Sequence, residues 1–135
     1  MSKYHKIKTQ FTSRAYLRAA LKATGIPFEE HEVEQHLVGY IGDTRPETAT
    51  FIVRRANVSS GANDVGWHWN EETGCFEEII SSFDSVRRGG QITQQVRMEY
   101  AAEYAISQAM NMGYELVEKQ YTEAGQIQLV IGGMV

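Results

Sequence analysis

The sequence predicts an α+β fold, a single domain over residues 1–135 with two helices packed on one face of a mainly antiparallel sheet in a ferredoxin-like sandwich. Three observations lead there. Two segments carry apolar residues at helical spacing. Several short runs of β-formers are bounded by Gly, Asn, Asp and Pro clusters. One pair of those runs is joined by a turn sequence suited to a hairpin. The predicted order is β-α-β-β-β-β-α-β-β.

Tyr4 to Phe11 reads as a strand, with Ile7, Thr9 and Phe11 as its β-formers. Thr12 or Ser13 can cap a helix, because a side-chain oxygen satisfies an otherwise unpaired amide of the first turn. Tyr16, Leu17, Ala20 and Leu21 form one apolar stripe, which Gly25 and Pro27 bring to an end. Phe28 to Val38 is a polar strand whose Glu29, Glu30, Glu32 and Glu34 suit a sheet edge, where charge discourages aggregation. Gly39 to Pro46 reads as a loop, Thr48 to Arg55 as a strand around Phe51, Ile52 and Val53, and Asn57 to Asn63 as another loop.

Val65 to Trp69 and Cys75 to Ser82 are hairpin arms around Asn70-Glu71-Glu72-Thr73-Gly74, a type I turn closed by a glycine able to take positive φ. Asp84 to Gly90 reads as a loop. A long helix follows from about Gln91 to Met112, with Ile92, Val96, Tyr100 and Tyr104 on one side. Ala101, Ala105, Ile106, Ala109 and Met110 are expected to widen that side into a broad buried face. Gly113 stops the helix. Tyr114 to Tyr121 and Gln126 to Ile131 form a last hairpin, in which Ile127, Leu129 and Ile131 alternate with Gln126 and Gln128 as a half-buried strand.

Composition narrows the function classes. With 135 residues, 42% apolar and 22% charged, the chain can bury a core without disulfides or metals. Its 13 Lys and Arg against 17 Asp and Glu leave a net charge of −4, the wrong sign for a protein that lives on phosphate backbones or on anionic membranes. Nucleic acid is therefore not an expected partner. No apolar run approaches the roughly 18 residues of a membrane span. Cys75 is the only cysteine, which fits a reducing compartment. Met1 to Lys6 is basic with no apolar run behind it, so no secretory signal is expected and the expected location is cytoplasmic.

The most unusual local sequence is Asp64-Val65-Gly66-Trp67-His68-Trp69. On a strand Trp67 and Trp69 face one side and His68 the other. This could be an aromatic platform for a ring or a protein partner, with His68 or Asp64 as its polar handle; the plainer reading packs the tryptophans under a helix. Arg87-Arg88-Gly89-Gly90 precedes a helix N-terminus, where free amides and the helix dipole favour an anion such as phosphate or carboxylate. It lacks the spacing of a nucleotide-binding loop, so solvated arginines beside a Gly-Gly hinge are the plainer alternative. Arg54-Arg55 is a second basic pair, and Lys3, Lys6 and Lys8 could extend such a patch.

His31 and His36 are five residues apart, which puts them on opposite strand faces, and no metal motif is present. Cys75 has no signature of a nucleophile around it and suits a small buried hydrophobe. No catalytic residue, metal or cofactor is predicted.

One resemblance covers most of the chain. Ser2 to Gln10 with Ile7-Lys8-Thr9, then Leu17, Leu21 and Gly25, then Asp64-Val65-Gly66-Trp67, Trp69-Asn70 and Phe76-Glu77 carry it in the first two thirds. Gln94-Gln95, Tyr100-Ala101, Met112-Gly113-Tyr114, Glu118 and Gly125-Gln126-Ile127-Gln128-Leu129-Val130 carry it at the end. Together they resemble the hypothetical chloroplast reading frame thirty-five family of plastids, cyanobacteria and other bacteria. The chain departs from that pattern at Ile131-Gly132-Gly133-Met134-Val135, where relatives tend to close with a basic or tryptophan-bearing strand. The resemblance implies no reaction and carries over no catalytic residue. It implies a stromal location in a plastid host and an association with photosynthetic or ferredoxin-linked machinery. The function expected is a non-enzymatic protein-binding or assembly module, with a homo-oligomer compatible; the alternative is a small-anion or nucleotide-binding protein centred on Arg87 and Arg88.

Overall fold

The computed structural model describes residues 3–133; Ser2 and the divergent Met134-Val135 end lie outside the described residues. The elements are β1 (Tyr4–Lys8), α1 (Arg14–Ala23), β2 (Glu29–Val38), β3 (Thr44–Val53), α2 (Arg55–Val58), β4 (Val65–Asn70), β5 (Cys75–Ser81), α3 (Ser82–Ser85), α4 (Arg88–Asn111), β6 (Glu115–Tyr121) and β7 (Ile127–Gly132). The first five strands form one antiparallel sheet in the order β1-β5-β4-β3-β2, and β6-β7 stands apart as a second sheet. The fold class is therefore α+β. Its strand order is a meander: α1 carries the chain from one sheet edge to the other, and β2 to β5 return to pair with β1. The split β1-α1-β2 unit thus brackets three strands, and the ferredoxin-like part of the expectation does not describe this sheet.

Local chemistry explains the helices. Ser13 caps α1 by accepting from Tyr16 N at 3.1 Å, and α1 buries Leu17, Ala20 and Leu21. The Tyr100 hydroxyl on α4 accepts from Thr12 N at 3.1 Å and Ser13 N at 2.9 Å, while its ring stacks on Phe11 at 4.1 Å. The main core lies between the helices and the sheet and contains Phe51, Val53, Val65, Trp67, Phe76, Ile80, Ile92 and Val96.

Three segments differ from the loops expected of them, one being Asn57 to Asn63, whose first residues lie in α2. Pro46 lies within β3, at a level where β3 pairs with β2 but not with β4, whose pairing covers only Phe51 to Val53. A proline's missing N–H is tolerated at such a free edge. Asp84 to Gly90 holds α3 and the first turn of α4, because the Ser81 side chain accepts from Asp84 N and starts a helix there.

The second face of the sheet carries a small core of its own. Register shifts in β2, between Glu30 and Gln35 and again before Val38, bend the β2-β3 hairpin over that face. Leu37, Ala49, Ile52, Ile79 and Tyr4 form a smaller core beneath it. Arg45 on β3 lies 5.0 Å over the Tyr4 ring on the far edge strand, and Asp64 N donates to Val38 O at 3.0 Å. The approach is close enough that a Cβ on Gly66 would lie 2.7 Å from the Ala49 Cβ.

Candidate functional site

Asp64, the proposed polar handle, is fully buried and serves the fold. Its carboxylate accepts from Val38 N, Arg55 N and Arg54 Nη1, each at 2.7 Å, and its carbonyl accepts from the Tyr4 hydroxyl at 2.7 Å. Burial, reinforced by the Asp64 charge, pushes the Tyr4 phenol well above its usual range. Arg54 also pairs with Glu29 at 2.9 Å, and Arg55 donates to Tyr40 O, so this basic pair clamps β2 to the body.

Trp67 is fully buried in the main core and cannot act as an exposed platform. Its cross-strand neighbour Glu78 is also fully buried and accepts from Arg97 at 2.7 Å. Burial raises the Glu78 carboxyl, Arg97 opposes that rise, and the Trp67 indole eases it slightly. Yet neither Trp67 Nε1 nor Glu78 Oε1 makes a hydrogen bond of good geometry.

Trp69 is half-buried, packed edge-on against Phe76 at 4.9 Å. The half-buried His68 reaches Glu34 at 2.5 Å through Nδ1. Glu34 crosses from β2 into the gap where β3 and β4 diverge, and also accepts from Thr48, Thr50 and Trp69 N. Burial alone would raise its pKa, but the hydrogen bonds from Trp69 N, His68, Thr48 and Thr50 bring it below the usual value. The result is a cleft of about 520 Å³ with Trp69 and Phe76 as apolar wall and Glu32, Glu34, Glu71 and Arg14 at its rim.

The Arg87-Arg88-Gly89-Gly90 segment is brought together, but its parts are engaged with the protein. Arg87 stacks over the Phe83 ring at 3.8 Å and donates to Phe83 O. Arg88 reaches Gln91 at 3.4 Å. Gly89 is buried against Asp84 and Ile80, and a Cβ on Gly90 would fall 2.0 Å from the Ser85 carbonyl oxygen. The two glycines let α3 pack against the first turn of α4. His31 pairs with Glu29 and His36 with the Arg45 carbonyl, and among the described residues no three His, Cys, Asp or Glu side chains converge on a metal position. Cys75 is half-buried.

The surface that sequence reasoning missed is the C-terminal arm. No described residue from Glu103 to Gly133 is buried. The predicted broad face of α4 therefore ends early: Tyr104 is 54% and Met110 60% exposed, and Ala101 and Ala105 are exposed too. Met112, Tyr114, Leu116, Val117, Tyr121, Val130 and Ile131 add further exposed apolar area. The hairpin is tied to the body through Glu99, which is buried and accepts from Lys119 Nζ and the Tyr121 hydroxyl, both at 2.7 Å. Burial would lower the Lys119 pKa, but the bond to Glu99 raises it. Between α4 and β7 runs an open groove of about 400 Å³ lined by Met98, Ala101, Ala102, Ala105, Ile127 and Leu129. The cue in the sequence was the apolar content of β6 and β7 beside a helix already committed to the sheet.

Fold and surface together define a packed α+β body bearing an apolar helix-and-hairpin arm. The chain belongs to the family described as Protein of unknown function (DUF1257), which matches residues 20–130. No curated protein and no solved structure matches it.

Proposed function

We propose that this protein is a non-enzymatic binding or assembly module that engages a protein partner through its C-terminal arm. The observation that carries this reading is the run from Glu103 to Gly133, in which nothing is buried and nine large apolar side chains are exposed. Exposed apolar side chains concentrated on one arm favour an interaction site there. The earlier platform of Trp67, His68, Trp69 and Asp64 does not carry the reading, because Trp67 and Asp64 are interior. The resemblance to a plastid and cyanobacterial family directs the search for the partner to photosynthetic or ferredoxin-linked machinery.

The test is affinity capture of the tagged chain from its host beside Met112→Lys/Val117→Lys, two exposed positions whose substitution spares the core. The expected result is a reproducible partner that the variant loses while its melting curve stays unchanged. A partner retained by the variant, or none captured by either chain, would overturn the reading. The alternative anion seat at Arg87 and Arg88 is tested by inorganic phosphate titration, and binding unchanged in Arg87→Ala/Arg88→Ala rejects it.

A further inference from the structure

We propose that the outer edge of β7 is a homodimer contact that pairs antiparallel with β7 of a second copy of this chain. The inference rests on reading the arm as an interaction surface, and it names the occupant.

Among the described residues β7 pairs with β6 alone, so its other edge presents unpaired backbone N–H and C=O groups. A two-stranded sheet is marginally stable by itself and gains from added strands. The other edges of this protein are blunted by charge. β1 carries Lys6 and Lys8; β2 carries Glu29, Glu30, Glu32 and Glu34; β6 carries Glu115, Glu118 and Lys119. β7, Ile127–Gly132, has neither a charge nor a proline.

The β7 pattern is also self-complementary. A two-fold axis through Leu129 sets Leu129 opposite its own copy, Ile127 opposite Ile131, and Gln128 opposite Val130. Ile127 and Leu129 share a face with Tyr121 and Lys119, the face that reaches Glu99 on α4. Pairing therefore extends one apolar face across β6-β7-β7-β6, with an α4 helix from each copy on the same side. Charge favours this pairing over the other edge. Apposed β6 strands would bring Glu115 and Glu118 of both copies together, whereas apposed β7 strands bring no like charges together. The contact is isologous and closes at two copies, leaving the charged β6 edges outermost.

The experiment is sedimentation of the full chain over a wide dilution series, with two charge variants at positions that are already exposed. In Gln128→Glu/Val130→Glu and in Gln128→Lys/Val130→Lys, each two-fold contact opposes like charges. The expected result is a dimer for the wild type, a monomer for each variant alone, and a mass restored about twofold when the two are mixed in equal amounts. A wild type that stays monomeric throughout, variants that remain dimeric alone, or a mixture that fails to reassociate would each overturn the proposal. A monomeric wild type that still loses a captured partner through Met112→Lys/Val117→Lys would reject the dimer and leave the arm reading standing.

Discussion

The two halves of α4 carry apolar residues at the same helical spacing and are used differently. In the first half Ile92, Val96 and Tyr100 are buried against the sheet and α1. One turn further on, Tyr104 sits on the same stripe as Tyr100 and is 54% exposed. Past Ala102 no described residue of the helix is buried, although the Tyr16 hydroxyl on α1 still donates to the Ser107 side chain. From there the chain is an arm whose hairpin bonds to Glu99, while the body beneath the first half contains two cores. Periodicity shows which side of a helix is apolar; it does not show that anything covers that side.

The comparison breaks most plainly if core and arm substitutions cost the same. Trp67→Ala should lower unfolding stability by about 3–5 kcal/mol, whereas Val117→Ala should stay within about 0.5 kcal/mol. Urea midpoints measure both, and a loss below about 1 kcal/mol at Trp67 would contradict the packed body. Gly66→Ala probes the fold-over of the β2-β3 hairpin, since its Cβ would meet Ala49 and Leu37. The expected loss is about 1–3 kcal/mol from overpacking. A neutral result would mean that the hairpin does not press on that face.

Acid should act on the body first. Arg18, with Arg14 beside it, holds the Glu30 carboxyl down at about 2, against an ordinary value of 4.5. The stability this ion cluster supplies is complete above the ordinary value and is lost as the pH falls toward 2. Glu30→Gln should lower the melting midpoint at neutral pH and flatten its fall in acid. Glu78 has the opposite sign, because a raised carboxyl favours the folded state below its ordinary value and costs stability as the pH rises through it. Glu78→Gln should therefore hold or raise the midpoint at neutral pH, and a marked fall there would show that the Arg97 bond outweighs burial.

The smallest global effect is expected at the junction. Glu99→Gln removes the charge that Lys119 and Tyr121 share. It should speed hydrogen exchange of β6 and β7 amides while moving the global midpoint by less than about 1 kcal/mol. Equal deprotection of β4 and β5 would mean that arm and body open together.

Most elements were legible because their signals are local. Ser13 caps α1 within three residues, Gly25 and Gly74 take positive φ at 72° and 67°, and the glutamates of β2 do mark an edge. What escaped depends on distant partners. Asp64 and Trp67 looked like a surface handle and platform, yet Val38, Arg54 and Arg55 come from elsewhere in the chain to enclose the one, and the helices cover the other. The role of Gly89 and Gly90 also escaped, because nothing local announced that Ser85 and Asp84 would pack against them.

By itself, then, the sequence determined the strands and main helices, the polar edge, the α+β class and the absence of a charge balance suited to nucleic acid. Only the tertiary structure decided which apolar faces are covered, because burial depends on what another segment places above a residue. That is why Tyr100 became core and Tyr104 surface, although one helical turn is all that separates them.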